Sequence, residues 1–303
     1  MQGLKLANLD KVLWPEEGIT KGQLIEYYAS MSNHLLRYLR DRPIFFTRYP
    51  DGIRGKRFYQ KNLPASAPSW IQTWTSPAGT RLMVAGSQRD LVWIGNQASI
   101  EIHPWFSTRL VPDCPNFVVF DLDPSPPASI QHVRAVARCL KELLDYLGLK
   151  SFPKTSGATG IHVCVPLLPA FPYEICRSFV EAVARVVRAR HPELVTLNRA
   201  VATRTGKVYI DYLQVSPGKA VVSLFSPRPL PGAPVSAPFD WASLDEVDPG
   251  QFNLLNVPEL FRDQVLEIER LDLYPQGLWE PINKLKGLMA TFAPARRDLF
   301  DHV

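Results

Sequence analysis

Apolar residues recur at three- and four-residue spacing through Leu24, Ile25, Tyr28, Met31, Leu35, Leu36 and Leu39. That period is one face of a helix, with Thr20 placed as its N-cap. "PIFFTRYP" then reads as a strand, and "DGIRGKRFYQKN" as a basic turn and its return. "TRLMVAG" and "LVWIGN" read as strand or short-helix pieces. "SIEIHPW" alternates cleanly, with Ile100 and Ile102 on one face and Glu101 and His103 on the other. In "NFVVFDLDPSP" the run Phe117–Phe120 has strand composition, and Pro124 stops it. Pro127–Leu147 predicts a helix with a stripe of Ile130, Val133, Val136, Ala137, Leu140, Leu143 and Leu144, closed by Gly148. "GIHVCVPL" follows as a strand, and Glu174–Arg190 as a second amphipathic helix ended by Pro192. "KVYIDYLQ" alternates again, with Tyr209, Asp211 and Leu213 on one face, and "AVVSLF" reads as its hairpin partner. An extended Pro227–Pro238 segment and a last helix over Pro258–Leu271 complete the pattern. Hairpins mixed with crossovers, and no internal repeat, predict an α+β fold.

The 303 residues, 46% hydrophobic and 11% aromatic, are enough for a substantial core. The 34 Lys and Arg against 29 Asp and Glu give a net charge of +5, a mild bias toward polyanions. Distribution sharpens it. Eight basic residues lie between Arg37 and Lys61 against Asp41 and Asp51, and six lie between Arg185 and Lys207 against Glu193. Solvated helix faces also collect charge, so neither cluster identifies a partner unaided. Cys114, Cys139, Cys164 and Cys176 form no CxxC pair, which predicts reduced thiols rather than a zinc site or disulfide framework. The N-terminus lacks the apolar core of a secretion signal, and the uncharged run Thr155–Tyr173 is broken by prolines, glycines and His162. A cytoplasmic protein that does not span a membrane is expected.

The chemistry gathers in two stretches. Asp121 and Asp123, two residues apart on a strand, face the same side about 6.6 Å apart. Carboxylates that close repel unless a cation lies between them. Asp211, in an otherwise apolar and aromatic strand, is costly unless it pairs with an arginine such as Arg204 or binds metal. Three carboxylates from two strands suit Mg²⁺ or Mn²⁺, and two such ions about 4 Å apart would serve phosphoryl transfer. In "KTSGATGIHV", Ser156, Gly157 and Gly160 would let a tight turn present backbone N–H groups to an anion, with His162 on the following strand. Arg204 and Arg228 could balance a triphosphate, or pair with acids.

Read together, "LDKVLWPEEGITKGQLIEYY", "RYPDG", "FYQKN", "IEIHPW", "FDLDPSP", "KTSGATGIHV", "KVYIDYLQ" and "SPRPLPGAPVSAPFDW" resemble the polymerase domain of bacterial DNA ligase D, in the archaeo-eukaryotic primase superfamily. The resemblance covers nearly the whole chain. It implies a compact α+β primase-polymerase core with an RRM-like palm and mixed or antiparallel sheets flanked by helices. As one domain, 1–303 would comprise a DNA-end-binding part (about 1–65), a catalytic core (about 66–250) and a helical tail (about 251–303). Asp121, Asp123 and Asp211 match the metal-binding aspartates; Ser156, Gly157 and His162 match the turn and strand that meet the triphosphate. Arg204, Gln214 and Arg228 match positions lining the same pocket, and His103 matches the histidine near the nucleotide sugar. Lys11 and Lys21 match a basic pair that holds a DNA 5′-phosphate, and Phe58 an aromatic that stacks on a base at the gap.

The implied activity is nucleotidyl transfer with two Mn²⁺ or Mg²⁺ ions. It would extend primers and fill short gaps at DNA breaks with NTPs or dNTPs in non-homologous end joining. Ku protein and DNA ligase are the implied partners, and association with the nucleoid the implied location. Thr159 departs from the pattern, since the family's turn usually carries a lysine there; the missing contact is expected to be absent or supplied elsewhere. Two rivals remain: a phosphohydrolase with Asp121 as nucleophile, whose Gly-Thr turn "DLDPSP" lacks, and a non-catalytic DNA-end binder.

Overall fold

The computed structural model describes residues 4–292 and 300. A short hairpin of β1 (Val12–Trp14) and β2 (Ile19–Thr20) leads into α1 (Lys21–Ser30). Thr20 caps α1: its side chain accepts from Gln23 N at 3.3 Å, and the Gln23 side chain accepts from Thr20 N at 2.9 Å. The single long helix expected from the period is divided at Met31, and α2 (Ser32–Tyr38) follows. Both halves keep their apolar residues inward, with Leu24, Tyr28 and Leu35 fully buried.

Two five-stranded sheets build the centre. In the first, β3 (Pro43–Arg48) lies between β7 (Ser99–Pro104) on one side and β4 (Phe58–Gln60) with β6 (Arg81–Val84) on the other. β5 (Thr73–Thr75) joins β6, and "LVWIGN" resolves as part of helix α3 (Gln88–Asn96). The second sheet contains β8 (Phe117–Pro124), β9 (Phe152–Thr155), β10 (Ile161–Pro166), β11 (Val195–Thr196) and β12 (Val208–Ile210), ordered β11-β12-β8-β10-β9. Between its strands run α4 (Ile130–Tyr146) and α5 (Tyr173–Arg190), which pack on each other and on β8. The succession β8–α4–β9–β10–α5–β12, with β12, β8, β10 and β9 side by side and antiparallel, is the split βαβ topology of an RRM-like palm. The stripe predicted for α4 is buried from Val133 to Leu144, while Ile130 is only partly covered. No described helix is long and apolar enough to cross a membrane.

Three further expectations need correction. β12 ends at Ile210, so Asp211 is not a mid-strand residue; it caps a 3₁₀ turn over Tyr212–Gln214. "AVVSLF" makes no hairpin. Ala220 alone bridges, to Trp105, because the backbone bends to give Phe225 a φ of 57° and to aim the Val222 carbonyl at Lys154. The helix expected over Pro258–Leu271 is one α-turn, α6 (Val257–Leu260), followed by a 3₁₀ segment over Glu267–Leu273 that Arg270 kinks. Its buried residues Ile268 and Leu271 sit three apart, a spacing that 3₁₀ geometry also satisfies. A longer helix forms beyond it, α7 (Trp279–Phe292), which buries Ile282, Leu285 and Met289, with Leu278 buried just before its start. The end of the expected helical tail, 293–299 and 301–303, lies outside the described residues, as do residues 1–3.

Candidate active site

Between the two sheets lies a cavity of about 460 Å³. His103, Asp121, Asp123, Ser156, His162, Gln214 and Arg228 line it, together with Phe45, Tyr59, Lys61, Ala158, Lys219 and the 220–222 segment. Strand register places the acids. Asp121 lies opposite His162 on β10, and Asp123 opposite Tyr209 on β12. The backbone N–H of Asp211 donates to the Asp121 carbonyl at 3.1 Å. The Asp211 Oδ1 accepts from Tyr209 Oη at 3.1 Å and from Leu213 N at 3.0 Å. Asp211 is thus brought beside the pair, although it does not itself line the cavity, and its charge acts on Asp123.

Burial pushes the Asp121 carboxyl up to about 6 against the pull of Lys154 and Arg228. Burial, and then the neighbouring Asp121 charge, push Asp123 to about 6 as well. The Asp121 Oδ1 is buried without a hydrogen bond; His162 Nε2 is 3.1 Å away but out of line for one. Two crowded carboxylates and an orphaned oxygen are what a hard divalent cation relieves. Among the described residues, no three His, Cys, Asp or Glu side chains already form an ion cage. Mg²⁺ and Mn²⁺ are commonly held by one or two carboxylates, with water and substrate phosphates completing the shell. The donor set therefore fits such an ion.

The glycine turn behaves differently from the expected nest of outward N–H groups. Ser156 Oγ accepts from Ala158 N at 3.2 Å and from Gly160 N at 3.1 Å, so these donors turn inward. With both accepted there, the Ser156 hydroxyl proton is left free to donate into the cavity. Gly157, at φ 69°, sits behind the cavity wall: a Cβ there would come within 2.8 Å of Ser236 N. Thr159 is exposed and outside the lining, whereas Lys61 and Lys219 bring two ammonium groups to it.

Sequence reasoning passed over Lys154. It is fully buried, and its Nζ donates to Ser236 Oγ (2.6 Å), His162 Nδ1 (2.9 Å) and the Val222 carbonyl (3.1 Å). Burial, and then the Arg228 charge, lower its ammonium to about 8. Burial and the Lys154 charge hold the His162 imidazolium well below the usual range, so the ring is neutral. A donor at Nδ1 leaves the ring proton on Nε2, the atom facing Asp121. A lysine two residues before a Ser-Gly turn, opposite a histidine on the paired strand, is the signal that could have found it.

The other expected residues lie outside the cavity. The Arg204 guanidinium sits 3.5 Å over the Tyr209 ring and donates to the Asn198 and Arg199 carbonyls. It is not part of the lining, and the Asp211 carboxylate accepts from Tyr209 and Leu213 instead. Lys11 and Lys21 are joined through the Lys21 N–H to the Lys11 carbonyl at 2.8 Å. Lys21 is buried, its ammonium has no hydrogen-bond or carboxylate partner among the described residues, and burial, then the charges of Lys11 and Arg48, lower it. Lys11 itself is paired with Asp51 at 2.8 Å. Phe58 is 53% exposed on β4, where an unpaired aromatic face is open to a ligand.

A family described as LigD, primase-polymerase domain matches residues 20–266. The bifunctional non-homologous end joining protein LigD of Bacillus subtilis (strain 168) is 34% identical over 286 residues, which is 93% of this chain and 46% of that protein. The multifunctional non-homologous end joining DNA repair protein LigD of Mycobacterium tuberculosis (strain ATCC 25618 / H37Rv) is 34% identical over 283 residues, 89% of this chain and 37% of that protein. The solved polymerase domain from Mycobacterium tuberculosis ligase D, in complex with DNA, superposes with a TM-score of 0.82 at 33% identity, covering 91% of this chain and 100% of that one. The chain therefore spans less than half the length of these two full-length relatives.

Proposed function

The chain belongs to the LigD primase-polymerase domain family, and from that premise we propose that it adds nucleotides to DNA 3′ ends, filling short gaps at double-strand breaks during non-homologous end joining. The observation that carries the reading is the orphaned, buried Asp121 oxygen beside Asp123, in a cavity that also holds Arg228, Ser156 and His162. Asp121 and Asp123, with Asp211 beside them, would hold two Mg²⁺ or Mn²⁺ ions. Such ions, when bound, lower the pKa of the attacking 3′-hydroxyl and neutralise the departing pyrophosphate.

The rest is the work of the chain's own side chains. Arg228, Lys61 and Lys219 bring positive charge to the triphosphate, and the Ser156 hydroxyl donates to it. His162, neutral and held at Nδ1 by Lys154, presents an N–H beside Asp121. His103 stacks on Phe45 with ring centroids 5.1 Å apart, which fixes the imidazole edge that would meet the sugar. Gln214 lines the same wall. Arg204 acts from outside the cavity: its guanidinium stacks on the Tyr209 ring, and Tyr209 in turn donates to Asp211. Lys61 and Lys219 take over the charge that a lysine at Thr159 would supply.

Away from the cavity, Lys21 with Lys11 and Arg48 forms a cationic point suited to a 5′-phosphate dianion, and Phe58 offers a face for a base at the gap. DNA with 5′-phosphorylated gaps or ends, NTP or dNTP, Ku and a ligase are the partners this reading assigns; residues up to about 65 would grip the end, with catalysis in the cytoplasm at the nucleoid. Incubation with Mn²⁺, a gapped duplex and α-labelled ATP tests it. Labelled nucleotide at the DNA 3′ end is expected. Release of inorganic phosphate without incorporation would favour the phosphohydrolase, and DNA binding without either product the bare end binder.

A further inference from the structure

Glu101 lies on β7 two residues before His103, with its side chain 8% exposed. Burial opposes its ionisation, but the His103 imidazole and the Arg228 guanidinium outweigh it and hold the carboxyl at about 2. One carboxylate oxygen, Oε1, accepts from Arg228 Nε at 2.9 Å. The other, Oε2, is 3.8 Å from His103 Nε2 and accepts from Tyr49 Oη at 3.4 Å. The two partners approach the nucleotide cavity from different parts of the chain: Arg228 is 127 residues away in sequence, and both line the cavity.

Each is fixed by its back. Arg228 is held at Nε by Glu101 and at Nη1 by the Ser156 carbonyl, which leaves Nη2 without a partner among the described residues. His103 has Thr47 Oγ1 at 3.3 Å from Nε2 and Glu101 behind the same atom, while Nδ1 is unbonded among the described residues. In the neutral ring an anionic neighbour at Nε2 favours the proton there, so Nδ1 presents a lone pair. A lone pair accepts from a hydroxyl and has nothing to gain from the C–H of a deoxyribose. We propose that Glu101 is a positioning residue that aims the free Arg228 nitrogen at the triphosphate and sets the His103 tautomer for the ribose 2′-hydroxyl, so that one buried carboxylate couples nucleotide affinity to sugar choice. The proposal rests on the nucleotide-transfer reading above. A carboxylate that merely neutralised two buried cations would stabilise the fold but would not link these two properties.

Glu101→Gln keeps the shape and removes the charge. Assayed on a gapped duplex with Mn²⁺, it should raise KM for dATP by about tenfold, the loss of a charge-assisted contact, and KM for ATP by a further factor for the lost 2′-hydroxyl contact, with a smaller change in kcat. The ATP:dATP ratio of kcat/KM should fall roughly fivefold, the worth of one net hydrogen bond. In a His103→Ala background, Glu101→Gln should still raise KM but leave the ATP:dATP ratio where His103→Ala put it. In the wild-type protein, ¹⁵N NMR of the His103 ring should find the proton on Nε2. An unchanged KM, an unchanged sugar ratio, or a further fall of that ratio in the double variant overturns the proposal. So does a proton on Nδ1, which decides the matter even if Glu101→Gln does not fold. Failure of the wild-type protein to add any nucleotide counts instead against the nucleotide-transfer reading itself.

Discussion

At the scale of single residues, the sequence displayed the acids and hid the groups that govern them. Asp121, Asp123, His103, Ser156, His162, Gln214 and Arg228 do share one cavity. Lys154 and Glu101 were given no role because Glu101 falls on the polar face of an alternating strand and Lys154 beside a glycine turn, where a charge reads as solvated. Only partners far along the chain make them internal, Ser236 for Lys154 at a separation of 82 residues and Arg228 for Glu101 at 127. The raised carboxyls carry a pH consequence. Asp121 and Asp123 stand at about 6 against an ordinary 3.8, chiefly through burial, so the folded metal-free protein binds their protons more tightly than the unfolded chain does. Their favourable contribution is complete below about pH 4 and is lost as the pH rises through about 6. Asp123→Asn should therefore be more stable than wild type at pH 7.5 without metal by about 1–3 kcal/mol, and so melt higher, with the difference shrinking toward pH 4. Mn²⁺, which competes with those protons, should raise the wild-type Tm far more at pH 7.5 than at pH 5 and should not raise that of Asp123→Asn. Melting curves at the three pH values check both; an Mn²⁺ effect equal at pH 5 and 7.5 would remove the carboxylates from the metal site.

At the scale of elements, amphipathic helices were the most legible. The stripe of α4 and the body of α5 are buried as their periods require, since each helix packs one face on the palm sheet. What failed were segments whose backbone is set by tertiary contacts. Asp211 leaves the strand to cap a turn, and Phe225 takes a positive φ inside a segment that alternation would make a strand. The period of α7 was present in Leu278, Ile282, Leu285 and Met289, but the weaker stripe upstream of it, around Ile268 and Leu271, drew the boundary to the wrong place. The turn joining β9 and β10 shows how tightly an element can be tied to the acids. A Cβ on Gly160 would lie 2.4 Å from the Leu122 carbonyl and 3.3 Å from Asp123 Oδ1. Gly160→Ala must push β10 away from β8 at the level of Asp121 and Asp123. A stability loss of about 1–3 kcal/mol is expected, together with a loss of nucleotide addition much larger than the unfolded fraction explains. Thermal melts and extension rates measured on the same preparation test this, and full activity in a stable Gly160→Ala protein would contradict the placement of that turn.

At the scale of the whole molecule, the fold class was readable because hairpins and crossovers alternate, and the RRM-like order of the palm follows from its βαββαβ succession. The stacking of the two sheets that encloses the cavity was not, because no local pattern states which sheet faces overlap. The basic residues divide by place. Lys21 and Lys11 belong to the hairpin and helix at the N-terminal side, apart from the cavity lining. Lys11→Ala with Lys21→Ala should erase a preference for gapped duplexes ending in a 5′-phosphate over those ending in a hydroxyl. It should also lower the salt slope of DNA binding by roughly two. Equal wild-type affinity for the two ends at low salt would exclude these lysines as the end grip. The central claim is that catalysis depends on the paired acids of the cavity while DNA is held elsewhere, and one paired measurement addresses it directly. Wild-type protein and Asp121→Ala are titrated onto the same 5′-phosphorylated gapped duplex, and then given Mn²⁺ and α-labelled ATP. The account predicts DNA affinities within about threefold of each other and nucleotide incorporation by the wild type alone, since phosphate contacts set the one and metal ligands the other. Incorporation by Asp121→Ala at a rate comparable with the wild type would contradict it.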